Sequence, residues 1–338
     1  MTTEKEGKVS YFNPETDSDS VFPTMHVKGK GIADTYYKML GKIEEEAIKL
    51  RTQYDRKDKS GNFIDPPGKD IRALIEIEDL FAEPRFPRLS FCEVGKYIAE
   101  MMGAKDHLVV PYEELLERVN QGGEEFEATE WPYCYHQRLT AYPLGNGETF
   151  NQLEEAVNKL ASGPLTRRAI AITGVPQIDL RMKSDAPCLR ELQFRGIEKP
   201  EKNQIIVTTF ARWRSRDSYK AMPDNLVGLR NIIQFEVAKP LAEKTGKEVI
   251  IGPYSGESGS LHIYGQDYTE KGAGEFFKTN PTLESFLEKS QQISEIMDDT
   301  VIDQLETLKG ESSWNFNANS IRIIDNLIDA YKSGQYKP

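Results

Sequence analysis

The stretch DAPCLRELQF, residues 185 to 194, sets Cys188 between a proline and an apolar run. A thiol in such a place has two possible uses. It can fill apolar space, since free cysteine is among the most buried residue types. As a thiolate it can instead attack an electrophile. The company it keeps bears on the choice. Downstream, ARWRSRDSYKAMPDNL carries Arg212, Arg214 and Arg216 at every second position, which on a strand predicts one shared face. Upstream, Arg167 and Arg168 stand together at the start of another strand-like run. Most charge runs are solvated edges. Two arginine clusters flanking a cysteine also suit a phosphate, which guanidinium groups bind bidentately. The same positive field lowers a thiol pKa and favours the nucleophilic form.

The elements that must position these residues follow from periodicity. IADTYYKMLGKIEEEAIKLR predicts a helix with Ile32, Tyr36, Leu40 and Ile43 on one face. RKDKSGNFIDPPGKD has loop composition, and RALIEIEDL alternates as a strand. FCEVGKYIAEMMG, PYEELLERVNQ and FNQLEEAVNKLASG have helical spacing, the last closing on a glycine. RRAIAITGV, CLRELQFR, NQIIVTTFARW and EVIIGPYSGESGSLHIYG read as strands. VGLRNIIQFEVAKPLAEKTG reads as one long helix, and residues 283 to 331 as mostly helical. With no internal repeat and no Pro/Ser linker, the pattern predicts a polar arm over residues 1–25 and a single α+β domain over 26–338.

Composition excludes some functions. A formal charge of -11 argues against non-specific binding to nucleic acid or a membrane surface, yet leaves room for a small anion held by clustered arginines. No apolar run approaches the roughly 18–20 residues that span a bilayer, and the polar N-terminus lacks the apolar core of a secretory signal. Three cysteines, Cys92, Cys134 and Cys188, are too few and too odd for a disulfide framework. No CxxC or HxxxH spacing suggests a metal. A reduced, soluble, cytoplasmic protein is the expectation.

Taken in order, LTRRAIAI, PCLRELQF, RSRDSYKAMPDNL and GSLHIY resemble the thymidylate synthase superfamily from Arg167 to Tyr264. YCYHQRL ahead of the arginine pair makes the likeness closest to a divergent, archaeal-type branch. The resemblance implies an α+β fold with a large, twisted mixed sheet flanked by helices, one sheet face serving dimerisation. It implies one-carbon transfer from 5,10-methylenetetrahydrofolate to C5 of a pyrimidine nucleoside monophosphate (dUMP, dCMP or CMP), with Cys188 adding to C6. By the same likeness Arg214 and Ser215 hold the phosphate, while Arg167 and Arg168 reach it from the partner of a homodimer. Gln193 is the family glutamine, Asn225 hydrogen-bonds the base edge, and His262 and Tyr264 contact the sugar hydroxyl. Asp217 contacts the pterin of the folate. Glu93 is the candidate carboxylate for proton transfer, its alternative being a helix-surface glutamate. Tyr133 and Tyr135 line the cleft, one or the other matching the family tyrosine. Lys69 or Arg72 would stand in for a mobile phosphate arginine.

The physical logic agrees. Addition at C6 breaks conjugation and needs a thiolate together with a hydrogen-bond partner at C4, and an asparagine offers both donor and acceptor.

Departures from the family pattern bear on the last step. Leu189 follows the nucleophile where histidine is usual, and Trp213 replaces a glutamine. The C-terminal SGQYKP lacks an apolar closing tail, and none of Trp131, Trp213 and Trp314 falls where the family shields its intermediate. Reductive methylation needs a dry pocket. These departures therefore favour hydroxymethylation, with a true thymidylate synthase as the alternative and an inactive nucleotide- or RNA-binding homologue as a remote one. Asn225 suits uracil, whereas an aspartate there suits cytosine, and Asp224 is adjacent.

Overall fold

Strict alternation of buried and outward residues builds the central sheet of this computed structural model, which describes residues 12–13, 21–87, 93–123, 125–183, 186–268, 272–311 and 314–335. The strands are β1 (Thr24–Gly29), β2 (Ile48–Leu50), β3 (Gly68–Ile77), β4 (Tyr142–Pro143), β5 (Thr149–Phe150), β6 (Ile170–Ile172), β7 (Leu189–Lys199), β8 (Gln204–Trp213), β9 (Arg216–Asp217) and β10 (Glu248–Ile263). Eight of them form one mixed sheet ordered β1-β3-β10-β8-β7-β6, with β2 added to β3 and β9 to β10. β1 with β3 and β10 with β8 run parallel, whereas β3 with β10, β7 with β8 and β6 with β7 run antiparallel. β4 and β5 make a separate hairpin.

The helices are α1 (Ile32–Glu46), α2 (Val94–Met101), α3 (Tyr112–Asn120), α4 (Tyr135–Thr140), α5 (Gln152–Ser162), α6 (Pro176–Asp179), α7 (Ala221–Asn231), α8 (Lys239–Thr245), α9 (Phe276–Thr279), α10 (Leu283–Leu308) and α11 (Ala318–Lys332). One contiguous core runs from Met25 to Tyr331, in which helix residues such as Tyr36, Met101 and Leu226 meet Ile75, Phe194 and Tyr254 of the sheet. The opposite sheet face carries Leu74, Ile170, Ile172, Ile197 and Phe210, all 37–59% exposed. No helix among the described residues is long and apolar enough to cross a membrane. Large α+β architecture with a mixed sheet and flanking helices is therefore as expected.

Three local readings change. The first helix stops at Glu46, because Glu44, Glu45 and Glu46 put negative charge at the end where the helix dipole is already negative. Ile48–Leu50 then pairs with β3 instead. The long helix starts earlier than expected, at Ala221, and is π-helical over Ile232–Ala238. Pro240 lies just beyond and has no N–H to donate back to Glu236, which disfavours a regular α-helical ladder there. Lastly, the three arginines do not share a face. β8 ends at Trp213 and the chain re-enters the sheet only at Arg216, so Arg212 and Arg214 stay outward while Arg216 turns inward, 2% exposed. Of the expected N-terminal arm, residues 1–11 and 14–20 lie outside the described residues, and Thr24 and Met25 belong to β1.

Candidate active site

Cys188 immediately precedes β7, where Arg214 closes the turn from behind. The Arg214 N–H donates to the Cys188 carbonyl at 2.9 Å, its Nε donates to the Pro187 carbonyl at 3.0 Å, and its Nη2 donates to the Ala186 carbonyl at 2.5 Å. From the other side, Arg190 reaches the Pro187 carbonyl at 3.4 Å. Arg190 in turn pairs with Asp179 at 3.3 Å, and Asp179 with the buried Arg138 at 3.2 Å. A turn held by two guanidinium groups keeps the sulfur in a fixed place. The Tyr135 hydroxyl adds to this by accepting the Cys188 N–H at 3.2 Å, and its ring packs edge-on against Trp213.

The partly exposed Cys188 lines a cleft of about 230 Å³ together with Arg214, Ser215, His262 and Tyr264. Lys69, Asp70 and Ser260 complete its polar wall, and the 50–55 segment its rim. The cleft depends on close approach at Gly265, where an added Cβ would lie 2.0 Å from the Pro66 carbonyl oxygen. A larger cavity of about 660 Å³ lies between α8 and α11 and carries no cysteine, so size alone does not mark the chemistry. Cys134, the other described cysteine, is buried, and burial pushes its thiol far above the ordinary range. Of the two, only Cys188 lines the cleft.

A polar chain runs along the cleft floor. His262 Nδ1 faces Ser215 Oγ at 3.4 Å and Ser260 Oγ at 3.3 Å, and Ser260 donates to Asp70 Oδ2 at 2.8 Å. Burial holds His262 below the usual imidazole range and Asp70 above the usual carboxylate range. His262 Nε2 and Asp70 Oδ1 make no hydrogen bond among the described residues. Buried polar atoms are ordinarily satisfied, so these two, enclosed within residues that line the cleft, are unusual.

Asp217, Asn225, Gln193, Arg167, Arg168, Tyr133 and Tyr135 are not among the residues that line this cleft. Asp217 pairs with His262 in the β9–β10 ladder, its Oδ1 accepting the Tyr219 and Lys220 N–H groups at 2.9 Å. Burial lifts its carboxyl to about 6, against these hydrogen bonds. Asn225, 8% exposed on α7, donates from Nδ2 to the Tyr97 hydroxyl at 2.6 Å. Gln193 donates to the Arg167 carbonyl at 3.0 Å, and Arg167 and Arg168 are exposed just before β6. Glu93 caps α2 with its side chain 53% exposed and ion-paired to Lys96, outside the cleft lining. Lys69 lines the cleft while bonded to the Glu44 carbonyl at 2.9 Å, whereas Arg72 sits on the outer sheet face with Glu257. Asp70 and Ser260 line the cleft and Arg190 braces the Cys188 turn, none of them having been singled out in the sequence. Ser260 and Arg190 carried a signal, each two residues from an expected site residue, His262 and Cys188.

No family model matches the chain. A curated relative from Methanocaldococcus jannaschii, described as "Putative thymidylate synthase", is 35% identical over 136 residues, covering 39% of this chain and 55% of the relative. A relative of the same description from Methanopyrus kandleri is 30% identical over 207 residues, covering 60% of this chain and 79% of the relative. One from Methanosarcina barkeri is 26% identical over 242 residues, covering 72% and 90%. The match thus spans about half the length of some relatives and most of others. A thermostable thymidylate synthase A from Bacillus subtilis superposes with a TM-score of 0.46 at 17% identity, over 77% of this chain and 84% of that one. With the Methanopyrus kandleri relative matched over most of its length, the chain belongs to the thymidylate synthase superfamily, in its divergent archaeal branch.

Proposed function

We propose that this protein transfers a one-carbon unit to C5 of a pyrimidine nucleoside monophosphate, using 5,10-methylenetetrahydrofolate, and that it leaves a hydroxymethyl group there. One observation carries the reading: Cys188, Arg214, Ser215, His262 and Tyr264 converge on one cleft from three separate segments. Arg214 and Ser215 supply charge-assisted and neutral donors for a phosphate beside the sulfur. The thiolate adds to C6, and the electron pair displaced to C5 attacks the one-carbon unit. The C5 proton is then lost to a base, the C5-bound methylene parts from the folate nitrogen, water adds to it to give CH2OH, and elimination of the thiolate restores the ring. The folate supplies the methylene carbon at the oxidation level of formaldehyde. Asp217 suits its pterin, because a buried carboxyl with one oxygen already fixed by backbone N–H groups presents a directed acceptor.

The placement of the described tryptophans supports hydroxymethylation over methylation. The described tryptophans are all committed elsewhere: Trp131 and Trp314 enclose the Lys105 ammonium at 4.1 and 4.3 Å, and Trp213 lies under Arg216 at 4.2 Å. None lines the cleft. The second reading, reductive methylation of dUMP to dTMP, is favoured by the description of the archaeal relatives. Mass spectrometry of the products from dUMP, dCMP and CMP separates the two. A product heavier by CH2O, with tetrahydrofolate released, is expected. A methylated product with dihydrofolate released would replace hydroxymethylation with thymidylate synthesis.

A further inference from the structure

The amide of Asn225 does not stand alone. Its Nδ2 donates to the hydroxyl of Tyr97 at 2.6 Å, joining α7 to α2. The Tyr97 ring is partly open to the outside, whereas its hydroxyl is enclosed, and burial keeps the phenol neutral. Packing fixes the ring: a Cβ at Gly228, one turn along α7, would lie 3.1 Å from Tyr97 Cε1. The charged or titratable groups whose fields reach the hydroxyl are Tyr135 from α4, Glu100 from its own helix, Asp224 from α7, and Arg216 from β9. The two carboxylates draw the phenolic hydrogen toward themselves, and Arg216 offers only donors. Both influences leave the lone pair of the Tyr97 oxygen turned to Asn225, which therefore points its NH2 rather than its carbonyl at the tyrosine.

Pyrimidine chemistry makes the sense of that amide matter. Uracil presents an N3–H donor beside an O4 acceptor, and cytosine presents the reverse. A carboxamide meets either edge with two hydrogen bonds, provided it can rotate half a turn about its terminal torsion. An amide held in one sense pairs with one base and sets donor against donor and acceptor against acceptor with the other.

We propose that Tyr97 is a positioning residue that locks the Asn225 amide in one sense and thereby sets the choice between uracil and cytosine. The inference rests on the proposed function together with the family resemblance, which implies that Asn225 meets the base edge. Replacing the hydroxyl with hydrogen, in Tyr97→Phe, keeps the ring packing, removes the acceptor and frees the amide. The measurement is the ratio of kcat/KM for dUMP and dCMP, with dissociation constants for both nucleotides read in parallel. In Y97F the wild-type preference is expected to shrink about tenfold, roughly 1.4 kcal/mol of lost discrimination, mainly because the disfavoured nucleotide improves. In an N225A background the same change is expected to leave the ratio unmoved, since there is no amide left to orient. Equal loss on both nucleotides, or an unchanged ratio in Y97F with wild-type activity intact, overturns the role of Tyr97 and leaves the proposed function standing. A wild-type protein that binds neither nucleotide overturns both.

Discussion

Cys188 and Arg214 do their work together because the guanidinium is spent on the backbone carbonyls beside the sulfur and still lines the cleft. Removing the thiol, in C188A, is expected to abolish tritium release from C5-labelled nucleotide while binding persists, because a positioned phosphate site does not need the nucleophile. R214A is expected to weaken nucleotide binding about 10- to 100-fold, as loss of hydrogen bonds to a charged group costs roughly 1.5–3 kcal/mol. Binding titration by calorimetry checks both. Asp217 adds a pH signature. Burial raises its carboxyl to about 6, so the native protein binds its proton more tightly than the unfolded chain does. The resulting stability is present below pH 4 and lost as pH rises through 6. Against D217N, the wild type is therefore expected to lose about 2 kcal/mol between pH 4 and pH 7, at roughly 1.4 kcal/mol per unit. Urea unfolding at both pH values measures it. These residues were legible because each sits in a short contiguous motif. Arg190, two residues from Cys188 in the same motif, offered the same signal, whereas Asp70 and Tyr97 were not legible, because strand pairing and helix packing rather than a motif place them.

At the scale of elements, α4 is clamped rather than merely packed. His136, on its first turn, meets Asp106 at 2.6 Å and Glu236 of the π-helical segment at 4.0 Å. Burial alone would pull the imidazole down, but the two carboxylates outweigh it and lift it to about 9. Its contribution to stability is thus complete below pH 6 and fades as pH rises through 9. H136F is expected to cost about 3 kcal/mol at pH 7, because breaking a buried pair leaves the carboxylates uncompensated. It is expected to slow catalysis as well, since α4 carries Tyr135 to the Cys188 N–H. Thermal denaturation across pH 6 to 9.5 tests the first effect and turnover the second. Long strands such as β7, β8 and β10 were readable from alternation, and long helices from their apolar stripe. α4 was not, being six residues and too short to show a period. β1 escaped because its first two residues, Thr24 and Met25, fell within the expected arm and follow Pro23, a residue typical of loops. The π-helical turn has no pattern of its own, and only Pro240 hints at it.

For the whole molecule, the outer sheet face is the feature without a partner in one chain. Ile170, Ile172, Ile197 and Phe210 lie exposed across β6, β7 and β8, close in sequence to Arg167 and Arg168. Pairing two such faces would bury the apolar residues and carry each arginine pair toward the neighbour's phosphate. Subunit mixing tests that arrangement. C188A and the double variant R167A/R168A are each expected to be inactive, yet together to recover about a quarter of wild-type activity, because half of the dimers then hold one intact site. No recovery on mixing would mean that the arginines serve their own chain or none. The claim on which everything else rests is covalent bonding between Cys188 and a pyrimidine ring. Its most direct test is incubation with a C5-fluorinated uridylate and methylenetetrahydrofolate, since fluorine cannot leave as a proton does and the adduct accumulates. The account predicts a mass increment equal to nucleotide plus folate on the peptide containing Cys188, absent in C188A. A protein whose mass stays unchanged, or whose adduct maps to Cys134, would contradict it.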